Sequence, residues 1–439
     1  MSPTSHALPA GAPVAAPAAT EPALAHRVSR AVVTVRGADG APLADADVVV
    51  GQVRHAVALG GIGFDVVDLL DADAHDPDGP GAGAPPEVGR RLAELFTEVF
   101  DTATLPFYWG AVEPERGAPR LERLERAARW FADRGVRLKG HPLVWHTVTA
   151  DWLRELPTDE VERVALERVR RDVTRFAGLV GAWDVVNEAV IAPVFDNEPT
   201  QNGITRWFLE RGRIPVIRAA FEAARESDPR ATLLLNDFNM GTAFECLVEG
   251  VLEAGVPVDA IGLQSHMHQG YWGEERTTAV LDRFARYGLP LHMTETTLLS
   301  GDLMPAEVVD LNDFRPSAWP STPEGEARQA EEVVRHYRTL VAHPAVQGVT
   351  YWGLGDAGAW LGAPVGLVRA DGTPKPSFAA LRDLVRGEWW VAPTTVRTDA
   401  DGHLVLHGFL GDHRVTAGDR AADLVLDRAG DAVVDVVLR

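Results

Sequence analysis

Cysteine is nearly absent: Cys246 is the only one in 439 residues. That excludes an intrachain disulfide framework and a cysteine-based zinc site. Cys246 itself is expected to be a small apolar residue buried in a helix. No stretch is long and apolar enough to span a bilayer, so no membrane partner is expected. The first 27 residues are rich in Ala and Pro and lack a basic segment followed by an apolar run, so no secretory signal is visible. The chain as it stands is expected in the cytoplasm, or outside the cell if its start is incomplete. Positive charge is in deficit: 42 Lys and Arg against 63 Asp and Glu give a net charge of −21. That argues against nucleic acid and anionic membrane surfaces and suits a neutral or cationic ligand. A glycine-rich phosphate loop is also missing, which leaves a doubly wound nucleotide-binding sheet without support.

What is present is an ordinary globular composition, 46% apolar and 24% charged, enough for a large core. After a flexible leader over 1–27, Ala31–Val35 and Asp47–Gly51 read as strands joined by a polar turn. They form a small β segment over 28–55. From Val57 the pattern changes to short apolar runs alternating with amphipathic stretches. The strand candidates are Val57–Gly61, Thr102–Phe107, Arg137–His141, Ala182–Asn187, Thr232–Asn236, Ala260–Gln264, Leu291–Glu295 and Gly348–Trp352. Between them, Arg120–Arg134 shows the helical period, with Leu121, Leu124, Ala127, Ala128 and Phe131 on one face. Eight strands alternating with helices predict an α/β chain folded as a (β/α)8 TIM barrel over 56–390. The acidic, Gly- and Pro-rich stretch Asp71–Pro86 reads as a mobile loop. Beyond 390 the chain turns to β again. His403–Gly408 and His413–Ala417, flanking F-L-G-D, read as a hairpin. The C-terminal segment 391–439 is expected to pair with 28–55 in one small β-sandwich-like accessory unit.

Two of the barrel strands end in a carboxylate. W-D-V-V-N-E closes on Asn187 and Glu188, and L-H-M-T-E closes on Glu295. A carboxyl at the end of a buried strand is costly unless it is paired, capping or at work. Two of them on one rim of a barrel make the pair that glycoside hydrolysis needs.

These motifs resemble glycoside hydrolase family 10, the endo-β-1,4-xylanase family, over roughly residues 55–385. G-H-P-L-V-W-H (Gly140–His146) is similar to the third-strand motif and W-D-V-V-N-E to the fourth. N-D-F-N (Asn236–Asn239), G-L-Q-S-H-M (Gly262–Met267), M-T-E (Met293–Glu295) and W-G-L-G-D-A-G-A-W (Trp352–Trp360) follow in the family's order. The resemblance implies a retaining mechanism with Glu188 as general acid/base and Glu295 as nucleophile, the two carboxyls about 5–5.5 Å apart. Glu188 must then be protonated near working pH, its pKa raised by burial and by Glu295. The resemblance further implies that His266 orients the nucleophile and that Asn187 meets the sugar 2-hydroxyl. His141, Trp145, Gln264, Trp352 and Trp360 match positions lining the sugar site, and Trp109 is retained beside it. Core packing is the competing reading for these tryptophans, and a satisfied core histidine for His141 and His146. His266 and His268 form an H-x-H that can bind zinc at a strand end, but no third ligand is obvious. Neither metal nor cofactor is expected.

The second strand departs from the family pattern. Thr104, Leu105 and Tyr108 stand where the resemblance leads us to expect Glu, Asn and Lys, and Val148 replaces a Gln. Those polar groups hold the non-reducing sugars of a xylan chain. Thr297 replaces the Asp that orients the histidine beside the nucleophile. The leading expectation is an endo-1,4-β-xylanase-like hydrolase, a monomer acting on carbohydrate. A glycosidase removing sugar from a plant glycoside such as a saponin competes with it. For that reading, Tyr271, Trp272, Phe314 and Trp319 are candidates to pack on an apolar aglycone. A non-catalytic carbohydrate-binding barrel is the third reading.

Overall fold

The computed structural model describes residues 13–70, 86–195 and 202–439. Residues 71–85, read above as a mobile loop, lie outside the described residues. The chain divides into two compact units. One comprises residues 59–332 and 345–376. The other takes the described residues up to 58, together with 333–344 and 377–439. Among the described residues no helix is long and apolar enough to cross a membrane.

The larger unit is a closed barrel of eight strands. In chain order these are β1 (Ala58–Ile62), β2 (Thr102–Pro106), β3 (Arg137–His141), β4 (Ala182–Asn187), β5 (Thr232–Asp237), β6 (Ala260–Met267), β7 (Leu291–Leu298) and β8 (Val346–Tyr351). Each neighbours the next, and the ring closes between β8 and β1. Their continuous burial is what a parallel sheet covered on both faces demands: Leu233, Leu234 and Leu235 on β5 are all enclosed. The helices supply the outer cover. Glu122–Ala132 buries Leu124, Ala127, Ala128 and Phe131 and turns its charged face outward. Helix Thr242–Glu253 carries Cys246, which is exposed. The expected helix is formed, but the expected burial of the thiol is not, because Phe244, Leu247, Val248 and Val251 already fill the inward face.

Two strands carry a register shift near the carboxylate end. On β4 it falls between Asp184 and Val186 against β5, and on β7 between Met293 and Glu295 against β6. A bulge re-aims the side chains that follow it. β6 and β7 also run past the expected ends, to Met267 and Leu298, because they keep pairing there: His266 faces Thr297, and Met267 faces Leu298.

The smaller unit holds two four-stranded sheets. One runs in the order Val14–Ala15, His403–Phe409, Val28–Arg36, Gly430–Val437; the other Thr394–Arg397, Asp47–His55, Gly411–Ala417, Arg420–Leu426. Strands from both chain ends therefore share each sheet. The hairpin expected around F-L-G-D is not formed. His403–Phe409 pairs with Val28–Arg36, whereas Gly411–Ala417 pairs with Asp47–His55 and Arg420–Leu426. Leu410 alone separates them. Gly411 turns the chain with φ +138, where a Cβ would fall 2.1 Å from the Arg54 carbonyl oxygen. The leader also needs correction. Residues 1–12 lie outside the described residues, but 13–27 are structured. Val14–Ala15 pairs with Leu406 and His407, and Pro22–Arg27 is a 3-10 helix. The buried Arg27 donates to the carbonyls of Val341 at 3.0 Å and His343 at 2.8 Å.

Candidate active site

β4 delivers Glu188 to the carboxyl rim of the barrel. Its backbone is left-handed, φ +57, a conformation that costs energy outside glycine. The Glu188 N–H holds it there by donating to Asn236 O at 2.8 Å. The side chain is largely enclosed. Trp145 Nε1 donates to Oε2 at 2.8 Å, and Gln264 Nε2 and Asn187 Nδ2 donate to Oε1 at 3.2 and 3.3 Å. Burial first, and the nearby Glu295 second, push the carboxyl up to about 8. These outweigh the bonds from Trp145 and Gln264.

Glu295 sits on β7 in a different setting. Asn236 Nδ2 donates to its Oε1 at 2.9 Å, and His266 Nε2 lies 3.1 Å from its Oε2. Burial raises this carboxyl, but the His141 ring and the His266 bond outweigh it, and the net shift is downward. His141 Nε2 is 4.0 Å from Oε1. Beneath it, Asp184 takes His141 Nδ1 and Lys139 Nζ, each at 2.8 Å, on the same Oδ2. Asp184 is fully buried, which opposes ionisation; Lys139 and His141 nevertheless hold it down to about 2. An ionised Asp184 only accepts, so His141 donates to it from Nδ1 and turns Nε2 to the site.

Asn236 ties the two carboxyl groups together. One amide donates to both Glu295 and Asn187 Oδ1, the latter at 2.8 Å, and Thr294 Oγ1 donates back to Asn236 Oδ1 at 2.5 Å. Gln264 Nε2 reaches Asn187 Oδ1 at 3.1 Å. Gly262 makes the space: a Cβ there would meet Asn236 Oδ1 at 2.5 Å. The two carboxyls share one hydrogen-bonded frame yet have opposed protonation tendencies, the arrangement acid/base chemistry requires.

A family model described as Glycosyl hydrolase family 10 matches residues 92–384. The chain belongs to glycosyl hydrolase family 10. It is an O-glycoside hydrolase acting on carbohydrate. It is 29% identical over 294 residues to endo-1,4-beta-xylanase B of Thermotoga neapolitana, covering 63% of this chain and 78% of that one. To the endo-1,4-beta-xylanase/feruloyl esterase of Xylanibacter ruminicola it is 26% identical over 299 residues, 60% of this chain but 39% of that protein. Its fold is similar to that of xylanase 10B from Thermotoga petrophila RKU-1, solved in complex with xylobiose. The TM-score is 0.59 at 24% identity, over 75% of this chain and 94% of that one.

In this family 10 chain the aromatic residues are not equivalent. Trp352 lies edge-on to His141 at 5.0 Å and to His266 at 6.4 Å. Trp360, 37% exposed, tilts over His266 at 4.9 Å and His268 at 5.3 Å. Both therefore border the carboxyl pair, as does Trp145. Trp109 does not fit the substrate-binding expectation. It is buried, its N–H goes to Glu113 Oε2 at 3.3 Å, Trp152 stands edge-on at 5.7 Å, and Arg168 covers the ring at 5.0 Å. Its surface is used by the protein itself. His146 is wholly enclosed and held down to about 3 by burial, with Nε2 3.8 Å from Glu188 Oε2. His268 is likewise lowered to about 3 by burial. Among the described residues the cluster with metal-ligand geometry is Asp399, Asp401 and His403, and it includes neither His266 nor His268.

Sequence reasoning missed Asn236, although it lies in a motif already noticed, because an Asn at a strand end has many uses. It also missed Asp184, Lys139 and Phe64, whose ring stands edge-on to Tyr108 at 5.9 Å and to Trp352 at 5.7 Å. Tyr108 was noticed only as a departure; its ring is edge-on to His141 at 5.9 Å and tilted on Trp145 at 5.8 Å.

Proposed function

We propose that the protein is a retaining β-glycosidase for β-1,4-linked xylosyl substrates. Glu295 is the nucleophile and Glu188 the acid/base. In the first step Glu295 Oε attacks the anomeric carbon as the glycosidic C–O bond breaks, and Glu188 passes its proton to the departing oxygen. In the second, Glu188, now ionised, takes a proton from water, whose oxygen displaces Glu295 and restores both groups. The observation that carries this reading is the opposed pair of environments. Glu188 is pushed up to about 8 by burial and by Glu295, while His141 and His266 keep Glu295 below the ordinary range. Asn187, within the same frame, is assigned the sugar 2-hydroxyl. The xylosyl substrate is supported by the names of the relatives, which are endo-1,4-beta-xylanases.

The deciding experiment is a 2-fluoro-xyloside with a good leaving group, followed by peptide mass analysis. A covalent glycosyl adduct is expected on the peptide containing Glu295. No adduct, or one elsewhere, would end this assignment; a silent protein that still binds sugar would be the carbohydrate-binding barrel. A glycoside with an apolar aglycone is the second substrate reading. It is favoured by Phe238 and Trp272, which line a groove of about 400 Å³.

A further inference from the structure

We infer that the glycone site ends after one sugar, closed by Tyr108 and Phe64, so that the enzyme releases single residues from the non-reducing end. This rests on the reading of Glu295 as nucleophile.

Glu188 follows β4 and Glu295 lies on β7. Around the barrel, β5 and β6 separate them on one side, and β8, β1, β2 and β3 on the other. A substrate whose scissile bond lies between the carboxyls must extend into both arcs. The sugar joined to Glu295 is the glycone. Trp352 after β8 and His141 at the end of β3 belong to the longer arc. His141 faces Glu295 at 4.0 Å, and Trp352 packs on His141. The glycone therefore points into that arc.

Beyond His141 and Trp352 the longer arc is filled. Four rings close a circuit: Phe64 to Tyr108 at 5.9 Å, Tyr108 to His141 at 5.9 Å, His141 to Trp352 at 5.0 Å, and Trp352 back to Phe64 at 5.7 Å. The interplanar angles lie between 76° and 90°. These are direct ring-to-ring spacings, and no pyranose ring fits between members of such a circuit. Tyr108 also rests on Trp145, the residue that binds Glu188, which fixes its ring from a second side. Among the described residues, Thr104 and Leu105 offer a second sugar nothing, since they have no exposed surface. The Tyr108 hydroxyl makes no hydrogen bond among the described residues. It lies close enough to Glu188 and Glu295 to feel both charges, so it is left to meet a hydroxyl of the one sugar that is held.

The test compares kcat/KM for an aryl β-xyloside and the matching β-xylobioside, in the parent and in Tyr108→Ala and Tyr108→Phe. Turnover of either substrate, with 2-fluoro-xyloside labelling of Glu295, establishes the underlying catalytic reading independently of the ratio. The parent ratio of xylobioside to xyloside is expected within about tenfold, and Tyr108→Ala is expected to raise it by about tenfold or more. Tyr108→Phe, which keeps the ring, is expected to keep the low ratio. Should Tyr108→Ala not fold, Phe64→Ala opens the same circuit and is read the same way. In the parent, reducing-end-labelled xylopentaose should give xylose and labelled xylotetraose as first products. Internal cleavage of that substrate, a parent ratio above about a hundredfold, or variants that leave the ratio unmoved would each overturn the inference. Absence of both labelling and turnover would overturn the catalytic reading and the inference with it.

Discussion

The imidazole Nδ1 of His266 lies 3.3 Å from the hydroxyl of Thr297. Its other nitrogen faces Glu295, which when ionised can only accept, so the proton belongs on Nε2. Nδ1 is then an acceptor, and Thr297 is its donor. A neutral hydroxyl thus orients the ring where a carboxylate was expected. Thr297→Val removes that one bond, worth about 0.5–1.5 kcal/mol. Thr297→Val is predicted to lower kcat/KM by no more than about tenfold and to move the acidic limb of its pH profile upward. Thr297→Ser should restore both. A profile that stays in place in Thr297→Val would show that the hydroxyl does not position His266.

Removing either carboxyl should be far more damaging. Glu295→Ala and Glu188→Ala are each expected to lose several orders of magnitude in kcat with the fold retained. Activity within about tenfold of the parent, a barrier change of only ~1.4 kcal/mol, would strip the residue of its role. Glu188→Ala should still be glycosylated by an aryl glycoside whose leaving group needs no proton. Azide should then rescue turnover and give a β-glycosyl azide. An α-azide would mean inversion.

The pH dependence follows from the same two groups. Activity needs Glu188 protonated and Glu295 ionised. The alkaline limb of kcat/KM should therefore fall near pH 8, and the acidic limb below the ordinary glutamate value. Stability depends on the same Glu188 proton. The folded-state pKa of Glu188 is raised from 4.5 to about 8. The protonated form favours folding, so its contribution is complete below about pH 4.5 and is lost as pH rises through about 8. At about 1.4 kcal/mol per unit, the loss is on the order of 5 kcal/mol at its largest. Glu188→Gln should raise Tm over the parent at pH 9 and change it little at pH 4. Equal increments at both pH values would contradict the burial of a charged Glu188.

The barrel was legible because short strand-like runs, several of them apolar throughout, alternate with amphipathic stretches, the mark of parallel strands covered on both faces. Ala182–Asn187 could be read to the residue from its Trp183, Val185 and Val186, and Arg137–His141 from its place between two amphipathic stretches. Chemistry set the remaining boundaries. The ends of β6 and β7 hold His266, Glu295 and Thr297, polar residues that look like loop and are in fact paired. F-L-G-D looked like a hairpin because turn composition reports a change of direction, not which sheet receives the next strand. Trp109 and Trp352 carry the same side chain, and only three-dimensional packing separates one used by Arg168 and Glu113 from one bordering the carboxyls. Asn236 was unreadable as the common partner of Asn187 and Glu295, since that depends on three strands meeting at one rim.

The last prediction concerns the leaving group, which must use the β5–β6 arc. Phe238 follows Asn236 by two residues and is 48% exposed. With Met240, Trp272 and Val280 it lines the groove of about 400 Å³, and Arg276 lies over the Trp272 ring at 4.7 Å. The other candidates are engaged differently. Phe314 and Trp319 pack together at 4.8 Å, and the Trp319 N–H goes to the Asp302 carbonyl at 2.8 Å. Trp319 also rests on the cluster of Leu299, Ala363 and Val365. Trp272→Ala should therefore lower kcat/KM for xylosides with bulky apolar aglycones by about tenfold, ~1.4 kcal/mol, and leave small aryl xylosides nearly unchanged. Trp319→Ala should instead lower Tm and keep the ratio between large and small aglycones. The measurement is that ratio, taken with leaving groups of matched acidity so that only size varies. A ratio that responds to Trp319→Ala and ignores Trp272→Ala would move the aglycone to the loop after β7.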